Sequence, residues 1–302
     1  MIPFERFLEL PTDEVAALLR ATGKKVCVFP VNGTRRWFML EHAEAIGDDF
    51  FEAYMNISIR NHVELCTMLF DHGIDILLAP VFGRELMRRG DEYTKRVGID
   101  GLVRTATDRN YRDFFARYNV RVRFYGDYRQ VLTGTPYEYA LKSMYECTES
   151  TKHNTGFQLF FGVFADEGTE TIARLAVEHY LAQGSVPDKQ ALVRKYYGVD
   201  LPPVSMFIGF DKFSTFDMPL LATGEEDLYF SLSPSPYMTR QQLRAILYDH
   251  IYIRPTREPD YRKMTGAELD WLREYYRRHK DEAFGVGKLK FNLWIPERVN
   301  AE

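Results

Sequence analysis

"KVCVFPVNGTRRWFML", residues 25–40, sets a run of apolar residues against an Asn-Gly pair, two adjacent arginines and a return to apolar residues. The first seven residues, rich in Val and Phe, read as a buried strand. Asn32-Gly33 permits a tight turn with positive φ. The backbone N–H groups that follow, with Arg35 and Arg36, suit a diphosphate, because guanidinium groups present paired donors to an anion. The competing reading is a surface turn with two solvated arginines.

Outward from this stretch, short apolar runs alternate with segments at helical spacing. "KVCVFPV", "IDILLAPVF", "VRVRFYGDY", "FQLFFGVFA", "VSMFIGF" and "DLYFSLS" read as strands. They are mostly apolar throughout rather than alternating, as strands covered on both faces are. Helical stretches lie between them: residues 52–72 with Gly73 as the stop, "RNYRDFFARYN", and "GTETIARLAVEHYLAQG". "TRQQLRAILYDHIYIR" and "TGAELDWLREYYRRH" follow, each with a threonine placed to cap. Strand–helix alternation predicts an α/β fold, a mostly parallel sheet flanked by helices. With no repeat, linker or low-complexity segment, residues 1–302 form one domain. Ligands of such sheets bind beyond the C-terminal strand ends. That rule gathers residues 32–36, 82–84 and 126–128, the Asp166–Glu167 pair, and the "GFDKFSTFD" loop.

The bulk numbers exclude several classes. A net charge of -4 gives no global attraction to nucleic acid or anionic membrane. Cys27, Cys66 and Cys147 lie far apart, which argues against a zinc knuckle or disulfide framework and suits a reducing, cytoplasmic setting. No window approaches ~18 uncharged apolar residues, so no transmembrane segment is expected, and the acidic N-terminus does not read as a signal peptide. Aromatic residues make up 15% of the chain, enough for an apolar ligand pocket as well as a filled core.

"DDFFE", residues 48–52, could place carboxylates on one helical face to hold Mg²⁺. It reads equally as an acidic helix start, which the helix dipole favours. The seven histidines show no zinc-protease spacing, and neither a G-x-S-x-G elbow nor a phosphate-binding P-loop occurs.

Together, "FPVNGTRRWF", "VRFYGDY", "FFGVFADE", "MFIGFDKFSTFDMPLL" and "RAILYDHIYIR" resemble the tuberculosinol synthase / tuberculosinyl adenosine transferase family and its kolavelool synthase relatives. These are diterpene enzymes on the cis-prenyltransferase (undecaprenyl diphosphate synthase) fold. The resemblance runs through nearly the whole chain in order. It implies a six-stranded, mostly parallel sheet, an elongated apolar pocket, Mg²⁺ as cofactor, a prenyl diphosphate substrate and a homodimer. It also implies a class II diterpene cyclase as pathway partner. In cis-prenyltransferases the first-strand loop reads D-G-N-x-R-W. By that match Gly33, Thr34, Arg35 and Arg36 bind diphosphate and Trp37 packs beneath the loop.

Two departures carry information. Elongating relatives hold their second diphosphate through arginines in an "I-R-T-S-G-E-x-R-L-S-N-F" segment. Here that segment is "IGFDKFSTF", without those arginines, so polyprenyl elongation is not expected. Asn32 stands where the family has aspartate; it keeps the shape but ligates Mg²⁺ poorly and cannot act as a base. Either the asparagine is an engineered change that quenches activity, or another carboxylate such as Asp48, Asp49 or Asp127 carries the metal, or the chain is a non-catalytic subunit. The expected activity is ionisation of a bicyclic C20 allylic diphosphate of halimane or clerodane type. Aromatic faces (Tyr93, with Phe82 and Tyr125) would steady the cation, and Tyr93 or Tyr54 would orient the water that captures it. The alternatives are transfer to a nucleophile such as adenosine, and a catalytically silent partner subunit.

Overall fold

Each of the six apolar runs is a strand in the computed structural model, which describes residues 2–166, 168–255 and 258–296. They are Val26–Val28 (β1), Ile76–Phe82 (β2), Val120–Tyr125 (β3), Phe157–Val163 (β4), Met206–Phe210 (β5) and Asp227–Ser231 (β6). They form one sheet in the order β3-β4-β2-β1-β5-β6, and every neighbouring pair is parallel. The α/β class, the six-stranded sheet and its flanking helices are as the sequence and the resemblance imply. β1 is shorter than its apolar run because Pro30 has no N–H to give to the ladder.

Alternation of side chains divides the interior into two cores. Cys27, Leu77, Phe161 and Ile208 face one, together with the long helix Phe50–Asp71. Val28, Leu78, Phe160 and Phe207 face the other, with Tyr196 and Tyr197 of the helix Lys189–Tyr197. Both faces are therefore buried along most of the sheet, which is why most strands show no polar alternation. β3 is the exception, with half-buried Arg121 and Arg123 alternating with buried Val120 and Val122.

Asp49 caps the long helix, its carboxylate accepting from the Glu52 amide at 3.1 Å, so the helix begins two residues before the expected start. Gly73 ends it at φ 95°, where a Cβ would stand 2.8 Å from the Ala16 carbonyl oxygen. Thr239 and Thr265 cap their helices as expected, the latter in a reciprocal capping box with Glu268. Two features alter the expected picture. Residues 34–41 are a helix, Thr34–Glu41, so the paired arginines stand in its first turn and not in a loop. A π-helical segment, Thr94–Ile99, interrupts the helical run between Asp91 and Thr107 and flanks the cavity described below.

Beyond the sheet, Gly266–Arg278 is an exposed helix with no buried residue. Gly287–Lys290 (β7) and Leu293–Pro296 (β8) form an antiparallel hairpin, turned by Phe291 and Asn292 at φ 51° and 60°. The sequence reading did not contain this hairpin. The three cysteines are buried and free. Among the described residues no helix is long and apolar enough to cross a membrane.

Candidate active site

β1 delivers the chain to a turn that only glycine fills. Gly33 has φ 77°, and a Cβ there would lie 2.8 Å from Pro234 Cβ and 2.9 Å from the Phe210 ring. The turn is fixed from across the sheet. Asn32 N–H donates to Ser235 Oγ at 3.1 Å, and the Asn32 carbonyl accepts from Ser235 N–H at 3.0 Å. The helix Thr34–Glu41 starts at once. Its first intrahelical bond is Trp37 N–H to Gly33 O, and no side chain caps it. The amides of residues 34–36 precede that bond, and a helix start with open amides attracts anions.

The turn opens on a cavity of about 630 Å³. The Arg36 guanidinium stands 5.4 Å from the centre of the Phe210 ring and 3.5 Å from Asp211 Oδ2. Arg35 and Arg89 stand 5.7 and 5.6 Å from the centre of the Tyr93 ring. Lys212 lines the same mouth. Three guanidinium groups and an ammonium thus face two carboxylates, Glu85 and Asp211, an excess of positive charge suited to a multivalent anion.

Behind the mouth, Tyr54, Ser58 and His62 follow one another at every fourth residue on the face that the long helix turns to the cavity. Tyr54 Oη and Thr34 Oγ1 are 2.7 Å apart, which ties this helix to the anion turn. Burial, and then the neighbouring Tyr93, push the Tyr54 phenol up to about 12, so it is a neutral hydroxyl at physiological pH. Met55, Ile59, Val97 and Leu102 supply apolar wall. His62 Nδ1 lies 2.5 Å from the Tyr111 hydroxyl. Burial lowers the imidazole to about 4, so the ring is neutral, and its buried Nε2 has no partner among the described residues.

Of the residues singled out from the sequence, this cavity brings together Asn32, Gly33, Thr34, Arg35, Arg36, Tyr54 and Tyr93. Others lie elsewhere. Tyr125 belongs to the core on the opposite face of the sheet, where its hydroxyl donates to the Asp217 carbonyl at 2.8 Å. It is not a pocket residue, because its place on β3 points it away. Phe82 packs on Phe164 behind Gly98, where a Cβ would touch it at 2.5 Å, so it backs the wall without lining it. Trp37 is buried edge-on to His42, one turn into the helix that the anion turn starts.

The three candidate metal carboxylates are also outside the cavity lining. Asp48 is exposed. Asp49 is the helix cap and pairs with Arg96. Asp127 is buried beside the Thr171 hydroxyl and 3.4 Å from Arg84, in a separate hollow of about 1040 Å³ along β3. That hollow is larger but lies away from the paired arginines. Asp166 is exposed, and Glu167 lies outside the described residues. Sequence reasoning passed over Arg89, His62, Tyr111 and Ser235. It marked the loop after β5 without singling out Asp211. The signal for His62 was its eight-residue spacing from Tyr54 on one helix.

No protein-family model matches the chain. It is 40% identical over 299 residues to a tuberculosinyl adenosine transferase of Mycobacterium tuberculosis, covering 98% of this chain and 99% of that protein. It is 23% identical over 301 residues to a (+)-kolavelool synthase of Herpetosiphon aurantiacus, covering 98% and 96%. Among solved structures, a lavandulyl diphosphate synthase from Lavandula x intermedia, in complex with dimethylallyl diphosphate, aligns with a TM-score of 0.56 at 14% identity, over 82% of this chain and 99% of that one. A probable undecaprenyl diphosphate synthase from Campylobacter jejuni aligns with a TM-score of 0.55 at 17% identity, over 78% and 97%. The chain belongs to the tuberculosinyl adenosine transferase family, built on the undecaprenyl diphosphate synthase fold.

Proposed function

We propose that the protein ionises a bicyclic C20 allylic diphosphate and transfers the diterpenyl group to a nucleoside acceptor such as adenosine. The observation that carries this reading is the 40% identity, end to end, with a tuberculosinyl adenosine transferase. Arg35, Arg36, Arg89 and the open amides of residues 34–36 hold the diphosphate. The allylic C–O bond breaks, and its electron pair leaves with the diphosphate, where these fixed positive groups stabilise the growing charge. Tyr93, flanked by two guanidinium groups, and the neutral Tyr54 present polar aromatic surface beside the cation. Met55, Ile59, Val97 and Leu102 enclose the hydrocarbon and exclude water from the cation. A purine ring nitrogen then gives its lone pair to the allylic carbon, forming a C–N bond. The acceptor side is the segment after β5, where Phe210, Ser214 and Phe216 line the cavity and the arginines of elongating relatives are missing.

The resemblance supports Mg²⁺ as the cofactor. Asp211 and Glu85 are the carboxylates that line the cavity, and the buried Asp211 Oδ1 has no partner among the described residues, so the residues present fit a hard cation. When bound, Mg²⁺ supplies charge neutralisation to the leaving diphosphate. The resemblance likewise supports a homodimer, a cytoplasmic location and a class II diterpene cyclase as supplier of the substrate.

A second reading is capture of the cation by water to give a diterpene alcohol, forming a C–O bond and releasing one proton. The similarity to a kolavelool synthase favours it. A silent partner subunit is disfavoured by the complete set of guanidinium groups at the cavity mouth. Incubation with tuberculosinyl or kolavenyl diphosphate and Mg²⁺, with and without adenosine, decides by mass spectrometry. A diterpenyl nucleoside is expected. An alcohol alone, at equal rates with and without adenosine, establishes the second reading, and no product from any diphosphate removes both.

A further inference from the structure

Asn32 leaves the anion turn without a negative charge, and the three acidic positions first considered for a metal lie outside the cavity. Asp211 differs from them in four respects. It follows β5 directly and lines the same cavity as Asn32 and Arg36. Its backbone has φ 72°, in the left-handed region that side-chain-bearing residues adopt at a cost and that is concentrated at functional sites. Its Oδ2 lies 3.5 Å from Arg36, while its buried Oδ1 has no partner among the described residues. And it adjoins Phe210, the ring that closes on Gly33. The carboxylate is thus held at the edge of the anion turn with one oxygen uncommitted.

A bare carboxylate in that place would repel a diphosphate bound to Arg35 and Arg36. A cation shared by both turns the repulsion into attraction. Among the described residues no group of three or more His, Cys, Asp or Glu side chains forms a cage for a metal. Magnesium does not require one: it binds through one or two carboxylates, with substrate phosphates and water completing its shell. Resting on the reading of the turn as a diphosphate site, we propose that Asp211 is the carboxylate that holds Mg²⁺ against the diphosphate, in the role that Asn32 cannot fill. The metal site is then complete only when diphosphate is present.

Binding measurements test this without turnover. Inorganic diphosphate is titrated by calorimetry in the absence of metal. Mn²⁺ is then followed by its electron paramagnetic resonance, with protein in excess over diphosphate. The unaltered protein is expected to bind diphosphate alone, and to bind Mn²⁺ at least tenfold more tightly with diphosphate than without. Asp211→Asn keeps the shape and tolerates the left-handed backbone. It should bind metal-free diphosphate as well or better, because a repelling charge is gone, and lose tenfold or more in Mn²⁺ affinity. Unchanged Mn²⁺ affinity in the variant overturns the assignment. So does weaker metal-free diphosphate binding with Mn²⁺ affinity intact, which marks Asp211 as a positioning residue for Arg36. Failure of the unaltered protein to bind diphosphate at all overturns the reading of the turn as well, and so separates the two.

Discussion

At its mouth the cavity is made by five consecutive residues, 32–36, stapled by Ser235 and pressed on Phe210. At its far end it is made by His62, Leu102, Thr105 and Tyr111, which come from three helices. Eight helical residues separate Tyr54, which touches the turn, from His62, about 12 Å along the axis. The mouth is cationic, and its geometry is set by one glycine and one helix start. The far end is uncharged: Leu102 stands beside the neutral His62–Tyr111 pair and Thr105, whose hydroxyl donates to the Leu102 carbonyl, and its geometry is set by packing. One end acts on the leaving group and the other on the hydrocarbon. Substitutions at the two ends should therefore change different measurements.

The largest effect belongs to the mouth. Arg36→Ala removes a guanidinium aimed at the developing charge and frees Asp211 from its partner. kcat/KM for diphosphate release should fall by about 10²–10³, the range for losing one preorganised group of this kind. The melting temperature should hold, because the side chain is partly exposed. A loss below tenfold would mean that the mouth does not carry the leaving group, and the contrast between the two ends would collapse.

The next effect belongs to the far end. Leu102 is buried and lines the apolar wall. Leu102→Phe adds bulk where the ring system of a C20 substrate would lie. The preference for C20 over C15 diphosphates should fall by about tenfold or more, as a methylene or two in such a wall is typically felt. Inorganic diphosphate should bind as before. Equal losses for both chain lengths would place the hydrocarbon somewhere else.

The two ends were also unequally legible. The mouth is local in sequence: an apolar run, Asn-Gly and two arginines state the strand, the turn and the charge together. Even there the sequence reading put the arginines in a loop, because nothing in "TRRWFMLE" marks a helix N-terminus once glycine stands at the cap. The metal candidates lie outside the cavity lining for a different reason. "DDFFE" reads as a metal run or a helix start on local evidence alone, and Asp49 is the cap of the long helix. Tyr125 was placed by its nearness to a strand end. Counting in twos along β3 sets it with Arg121 and Arg123, opposite Val122 and Phe124. Which face carries the cavity, however, is a matter of tertiary packing. The far end gave only one local sign, the eight-residue spacing of His62 from Tyr54 on the long helix, since His62 and Tyr111 are 49 residues apart and meet only through helix packing.

A smaller effect lies on the other face of the sheet and serves as the control for both ends. Asp217 sits at φ 57° against Tyr125, and burial, with Asp166 adding to it, pushes its carboxyl up to about 7. The folded protein holds this proton more tightly than the unfolded chain, whose carboxyl titrates near 4. Its contribution to stability is therefore fully present below about pH 4 and is lost as pH rises toward and through 7. The melting temperature should fall between pH 5 and 8, and Asp217→Asn should flatten that slope while leaving diphosphate affinity unaltered. An unchanged slope would show that the carboxyl is not protonated in the fold.

The smallest effect is expected at the residue that looks most consequential, Asn32. Its backbone is held by Ser235, and its side chain makes no hydrogen bond to the described residues, so Asn32→Asp breaks no contact. If Asp211 already supplies the carboxylate for Mg²⁺, the new charge at residue 32 duplicates a role that is filled. It also stands beside a diphosphate that it repels. Turnover at saturating Mg²⁺ should stay within about threefold of the parent, and at limiting Mg²⁺ it should be no faster. A gain of tenfold or more, about 1.4 kcal/mol in the barrier, would show that the turn still lacks its carboxylate and that Asp211 does not replace it. A titration of Mg²⁺ against rate for both proteins separates these outcomes, since a filled site predicts overlapping curves and a vacant role predicts curves that diverge most when the metal is scarce.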